Sequence, residues 1–125
     1  MNLLLDAHAL IWWLADDPAL SRRARRAIAD PDSSVFVSAA TAWEIAIKQH
    51  AGRLDAPADL ERQIEAHRFE PLPITIAHAW EAGALPRHHD DPFDRLLVAQ
   101  AAAEGLTIVT RDGRIAAYGV RTLAA

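Results

Sequence analysis

The sequence predicts an α/β fold: a three-layer sandwich in which a central, mainly parallel sheet carries helices on both faces. Three observations lead there. Short apolar runs alternate with longer helical stretches along the whole chain, the order that produces parallel strands joined by helical crossovers. The runs are apolar throughout, as strands covered on both faces are. At 125 residues with 51% hydrophobic content, the chain can build one core and is too short for two ordinary domains, so residues 1–125 are read as one unit.

Each element has its own signal. Asn2 to Leu5 is a buried strand with Asp6 at its carboxyl end. Ala7 to Leu14 follows as a helix carrying His8, Trp12 and Trp13, and Asp16-Asp17-Pro18 breaks it. The tryptophans are expected in the core or an interface, and His8 as a packed or capping side chain. From Ser21 to Ala29 a second helix turns Arg22, Arg23, Arg25 and Arg26 to solvent. Asp30 to Ser33 makes a turn, and Val35-Phe36-Val37 is a second buried strand ended by Ser38. Thr41 to His50 is helical, with Trp43, Ala46 and Ile47 expected inward and Glu44 placed to pair with Lys48 at i, i+4. Asp59 to His67 reads as an amphipathic outer helix. Phe69 to Ile74, interrupted by Pro71 and Pro73, is confined to a short or edge strand. Thr75 caps a helix through Leu85, and Pro86 leads into a turn from Arg87 to Asp91.

The next helix is the most clearly punctuated. Asp91 serves as N-cap, Pro92 fits the first helical position, where its missing N–H has no intrahelical partner, and Gly105 supplies the stop. Asp94 in the first turn offsets the helix dipole, a role that needs no chemistry. Leu106 to Thr110 is a β-branched apolar strand followed at once by Asp112-Gly113. A short helix around Ile115 to Tyr118 and a strand around Val120 to Leu123 complete the pattern.

Composition removes several classes of function. There is no cysteine, so disulfides, thiolate metal sites and cysteine nucleophiles are excluded, and any metal must be held by oxygen or imidazole. No basic segment precedes a signal-like apolar stretch, and no apolar run reaches the ~18 residues of a membrane span. A soluble, cytoplasmic protein is expected. Thirteen Lys and Arg against seventeen Asp and Glu give a net charge of −4, which argues against gripping nucleic acid by bulk electrostatics. Lys48 is the single lysine among the thirteen, and an alanine- and arginine-heavy composition accounts for that count without function.

Four acids converge in such a fold. Asp6 and Asp112 follow strands, Asp94 opens the helix before the second of these strands, and Glu44 lies on the helix after strand Val35 to Val37. In open parallel sheets ligands bind beyond the carboxyl ends of the strands. Carboxylates gathered there repel and raise one another's pKa, and a hard divalent cation resolves that cost. Mg²⁺ or Mn²⁺ takes oxygen ligands, keeps waters and completes its coordination with substrate phosphates, which points to phosphodiester hydrolysis. Competing uses of the architecture lack their residues. There is no G-x-G-x-x-G after the first strand and no G-x-x-x-x-G-K-[ST]. A phosphate-accepting receiver would need a lysine at a later strand end. His89-Asp90 invites a histidine–aspartate metal-hydrolase reading, for which no further histidine can be placed.

The segments Leu-Leu-Leu-Asp-Ala-His, Val-Ser-Ala-Ala-Thr-Ala-Trp-Glu-Ile-Ala-Ile-Lys, His-His-Asp-Asp-Pro-Phe-Asp-Arg-Leu-Leu-Val-Ala-Gln-Ala and Ile-Val-Thr-Arg-Asp, in that order, resemble the PIN-domain family and within it the VapC-type toxins of toxin–antitoxin pairs. The resemblance covers essentially the whole chain. It implies a metal-dependent endoribonuclease held inactive by a cognate antitoxin protein, with RNA as substrate and self-association into a homodimer. Matched position by position, the family's acidic set falls on Asp6, Glu44, Asp94 and Asp112. Asp6, Asp94 and Asp112 are then expected to hold Mg²⁺ or Mn²⁺, and Glu44 to complete the site or position water. Arg87, Arg111 and Arg114 are candidates for RNA phosphates, and Thr110 for a further contact with substrate. One departure stands out: Ala7 occupies the place of a Ser or Thr, removing a hydroxyl beside the first Asp, for which Thr110 is a candidate substitute. The rival expectation is a PIN-like scaffold without catalysis, whose Trp12, Trp13 and Trp43 would line an apolar groove for a partner helix.

Overall fold

The computed structural model describes residues 1–125 as a five-stranded sheet with helices on both faces. In chain order the elements are β1 (Asn2–Leu5), α1 (Ala7–Leu14), α2 (Arg22–Ala29), β2 (Ser34–Ser38), α3 (Ala39–His50) and α4 (Leu60–Ala66). There follow β3 (Glu70–Leu72), α5 (Ile76–Ala84), α6 (Pro92–Glu104), β4 (Thr107–Thr110), α7 (Gly113–Ala116) and β5 (Thr122–Ala124). The strand order is β3-β2-β1-β4-β5, and every pairing is parallel. Crossovers leave β1 first towards β2 and β3, and the chain then returns to the other side of β1 for β4 and β5. The sheet therefore changes winding direction between β1 and β4, which opens a crevice at their carboxyl ends.

Alternation along β1 divides the core. Leu3 and Leu5 point to one face and pack with Leu10, Ala24, Ile28, Val37 and Val109. Leu4 points to the other and packs with Leu97, Val98, Ala101, Ile108 and Ile115. Burying one such leucine stabilises the fold by about 1.5–3 kcal/mol. A slip of one residue in the register Leu3↔Val35 and Leu3↔Thr107 would exchange the two faces.

Helix α3 departs from the expected packing. Trp43 is 60% and Ile47 45% exposed, and Ala46 also faces solvent. The buried residues are Ala40, Thr41, Glu44 and Ile45. Ala40 joins the core on one side of the sheet and Ile45 the core on the other, so the helix crosses the sheet's rim instead of lying on one face. Hydropathy alone had favoured the tryptophan and isoleucine. The bridging geometry instead turns Glu44 inward. Smaller differences concern ends: α7 begins at its Asp112 cap and β5 starts two residues later than expected. Pro71 does lie in an edge strand, as its missing donor requires. No helix is long and apolar enough to cross a membrane.

Candidate metal centre

Asp6 combines the two roles its position allows. Its backbone N–H continues the sheet by donating to the Val109 carbonyl at 3.2 Å, and its carboxylate caps α1 by accepting from the Ala9 N–H at 2.9 Å. The side chain is buried, and desolvation raises its pKa; the Ala9 N–H and then the Thr110 hydroxyl oppose that rise, while Glu44 adds to it. Thr110 is thus the hydroxyl beside Asp6 that Ala7 does not provide. Its oxygen also accepts the Asp112 N–H at 3.0 Å. Being buried, it supports the acids and presents no surface to a substrate.

Glu44 is brought to the same rim by α3. The Thr41 hydroxyl donates to the Leu5 carbonyl at 3.3 Å, fixing the first turn of that helix against the end of β1. One turn separates Thr41 from Glu44. The Lys48 ammonium donates to Glu44 Oε2 at 2.6 Å, so the i, i+4 pair exists, yet Glu44 is only 6% exposed and the pair is not a surface ornament.

Asp94 and Asp112 differ sharply in electrostatics. Burial first, then the neighbouring Asp91 charge, push the Asp94 pKa up to about 7; His89 opposes the rise, and Asp6 and Glu44 add to it. Asp91 itself spends its carboxylate on the Phe93 and Asp94 N–H groups as the α6 cap. Asp112 caps α7 and accepts from the Arg114 guanidinium at 3.1 and 2.9 Å. That hydrogen-bonded guanidinium pulls its pKa down to about 2.

Sequence reasoning missed His89. Its Nε2 lies 2.8 Å from Asp94 Oδ2 and 2.9 Å from Asp112 Oδ2, and the ring is buried. These three side chains offer ligand atoms within 4.8 Å of one another. The histidine–aspartate reading, a minor alternative in the sequence, sought other histidines as partners, whereas the partners are carboxylates. The signal lay in position: two residues before a helix cap, the His89 ring can accept the N–H of Asp91, as it does at 3.3 Å.

Together Asp6, Glu44, Asp94 and Asp112 line a cleft of about 510 Å³, with Asp91, Lys48, Arg111, Arg114, His8, Trp12 and Ala7 around them. Arg87 does not reach it and stands exposed in the turn before α6. Arg111 lines the cleft but is held elsewhere, donating to the carbonyls of Ala19 and Ala125. The apolar groove expected around the tryptophans is not formed by them. A groove of about 640 Å³ instead runs between α4, β3 and the start of α3, lined by Val37, Leu60, Ile64, Phe69 and Leu72. Trp12 faces the acidic cleft, Trp13 packs on Phe69, and Trp43 meets Phe93 edge-on.

Comparison with known proteins agrees with this fold. The chain is 34% identical to Ribonuclease VapC22 of Mycobacterium tuberculosis over 120 residues, which cover 94% of this chain and 92% of that one. In fold it is similar to the solved structure of VapBC2 from Rickettsia felis bound to a DNA fragment from its promoter, with a TM-score of 0.71 at 14% identity over 98% of both chains. It is similar as well to DNA-bound VapBC from Salmonella typhimurium, with a TM-score of 0.70 at 20% identity over 98% of this chain and 97% of that one. The family model described as the PIN domain matches residues 3–120, which takes in all five acids of the cleft, and the chain belongs to the PIN-domain family.

Proposed function

We propose that the protein is a metal-dependent endoribonuclease, the toxin of a toxin–antitoxin pair, that hydrolyses RNA phosphodiester bonds at the acidic cleft. The relative named a ribonuclease supports the reaction class, and the VapBC complexes support the pairing. The observation that carries metal dependence is the gathering of Asp6, Glu44, Asp91, Asp94 and Asp112 in one cleft with only Lys48, Arg111 and Arg114 as permanent cations. Burial and the neighbouring acids push the Asp94 pKa up to about 7 in keeping with that excess. The donors are carboxylate oxygens with one imidazole nearby, and no sulfur, a set that fits a hard divalent cation.

On this reading Asp6, Asp94 and Asp112 hold Mg²⁺ or Mn²⁺. The chemistry such an ion supplies when bound is polarisation of the phosphodiester and a lowered pKa for water. Glu44, held by Lys48 through one carboxylate oxygen and lining the same cleft as Asp6, would position the attacking water. Arg114, 65% exposed at its side chain, is the arginine free to meet a phosphate once Asp112 is otherwise engaged. The antitoxin and a second copy of the chain are the protein partners. The apolar groove beside β3 and the exposed Trp43, Ile47, Ile76 and Trp80 supply surface for such contacts.

The test is cleavage of a mixed structured RNA by purified, antitoxin-free protein with Mn²⁺ or Mg²⁺, set against EDTA and against Asp94→Asn. Cleavage disappears in both controls, while Asp94→Asn unfolds at the same temperature as the parent or slightly above it, because one buried like charge is gone. Full cleavage by the Asp94→Asn variant overturns the assignment.

A further inference from the structure

Three side chains on the cleft's rim, His8, Trp12 and Arg111, stand beside the four acids and are not among the residues that would hold the ion. His8 lies one turn before Trp12 on the same face of α1, with ring centroids 5.5 Å apart and planes tilted by 43°. Arg111 places its guanidinium carbon 4.3 Å from the centroid of the Trp12 ring. All three line the cleft that holds Asp6 and Asp94. The arrangement is fixed from below. Trp12 packs partly against the core beneath α1, and Arg111 is tied to the carbonyls of Ala125 and Ala19. It is open on top: His8 is exposed, and its ring nitrogens make no hydrogen bond within the chain.

A cation–π pair of Arg111 and Trp12 with the exposed His8 ring tilted against it, beside a site for phosphodiester chemistry, fits one kind of group. Unpaired nucleobases stack on aromatic rings, histidine included, and on arginine planes, and they do so with little regard to base identity. A base held in a duplex presents no free face. The net charge of −4 leaves the protein without a general electrostatic hold on RNA, so a stacking contact would contribute a large share of affinity.

We propose that His8, backed by Trp12 and Arg111, forms a shelf on which an unpaired nucleobase next to the scissile phosphate stacks. The inference rests on the nuclease reading above and deepens it. His8 acts by binding and takes no part in proton transfer, so its loss falls on substrate affinity.

The experiment measures binding of a short single-stranded oligoribonucleotide, and of the same strand with one abasic site beside the cleaved bond, to His8→Ala and His8→Phe proteins. Binding is read by fluorescence anisotropy on an Asp94→Asn background, and KM and kcat on the parent background. His8→Ala weakens binding of the intact strand by about 5- to 150-fold, the range of one lost base–aromatic stack. His8→Phe restores it. The abasic strand binds the parent as weakly as the intact strand binds His8→Ala, and removing both base and ring costs no more than removing one. In cleavage KM rises and kcat holds. Equal binding by His8→Ala and the parent overturns the shelf, as does an abasic penalty that persists undiminished in His8→Ala. Metal-dependent cleavage that ignores His8 would remove the shelf and leave the nuclease. Base-sensitive binding through His8 without metal-dependent cleavage would remove the nuclease and leave the shelf. Absence of any RNA binding overturns both.

Discussion

His89 is set between two acids. Its Nδ1 accepts the Asp91 N–H at 3.3 Å, so a proton on Nε2 is aimed at one oxygen each of Asp94 and Asp112. That shared contact fixes both carboxylates and leaves Asp94 Oδ1 without a hydrogen-bond partner in the chain. Outer partners of this kind typically cost 10–100-fold in metal affinity when removed. We therefore expect His89→Ala to weaken Mn²⁺ binding by about that factor in calorimetric titration, with the fold retained; unchanged affinity would reduce His89 to packing. Asp6, Asp94 and Asp112 were legible in the sequence because each sits at a strand end or helix start, places a parallel sheet brings to one rim, and Glu44 because its helix follows the second strand. His89 was not, since its partner Asp112 lies 23 residues away and the link exists only once β4 has paired with β1. Trp43 shows the converse error. Its hydropathy spoke for burial, but the helix that carries it spans the rim between two cores, and the inward place went to Glu44.

Helix α6 holds the site through Arg95 as much as through Asp94. The Arg95 guanidinium donates to the Ala82 and Leu85 carbonyls at 2.9 Å each, to Pro86 at 3.0 Å and to His89 at 3.3 Å. One side chain thereby caps the carboxyl end of α5, where unpaired carbonyls carry partial negative charge, and stitches down the turn that delivers His89. Lysine cannot span these acceptors, because its three donors radiate from one atom while arginine's lie in a planar fork. Arg95→Lys should cost about 2–4 kcal/mol in urea unfolding, the net worth of one or two charged hydrogen bonds and their orphaned acceptors. Amide exchange in residues 86–91 should quicken more than in the sheet; uniform change across the chain would place the loss elsewhere. The elements themselves were read most accurately where punctuation is local. Asp91, Pro92 and Gly105, the last at φ 69°, bound α6 where expected. The end of the chain was read less well, because β5 is three residues long and exists by pairing Leu123 with Val109, a contact no local pattern announces.

At the scale of the whole molecule, the acidic cleft makes stability depend on pH and on metal together. Asp94 releases its proton near 3.8 when unfolded and near about 7 when folded, so the folded state holds more protons throughout that interval. Stability then falls as pH rises from 3.8 towards about 7, and the raised pKa of Asp6 acts in the same direction. Asp112 acts oppositely and in a different window: held down to about 2, it contributes stability above 3.8 that is lost as pH falls through about 2. Between these limits the metal-free protein should melt at progressively lower temperature as pH is raised. A divalent cation replaces the proton as the neutralising charge, so it should raise the melting temperature more at the upper end of the interval than at the lower. At a concentration about 100 times its Kd the stabilisation reaches about 2.7 kcal/mol. Scanning calorimetry of the metal-free protein, with and without Mn²⁺, measures both slopes. Asp94→Asn isolates the share of this carboxylate, since its metal-free profile should be flatter than the parent's. Parallel profiles for the two proteins would mean that Asp94 ionises freely and that no charge waits in the cleft for a cation to balance.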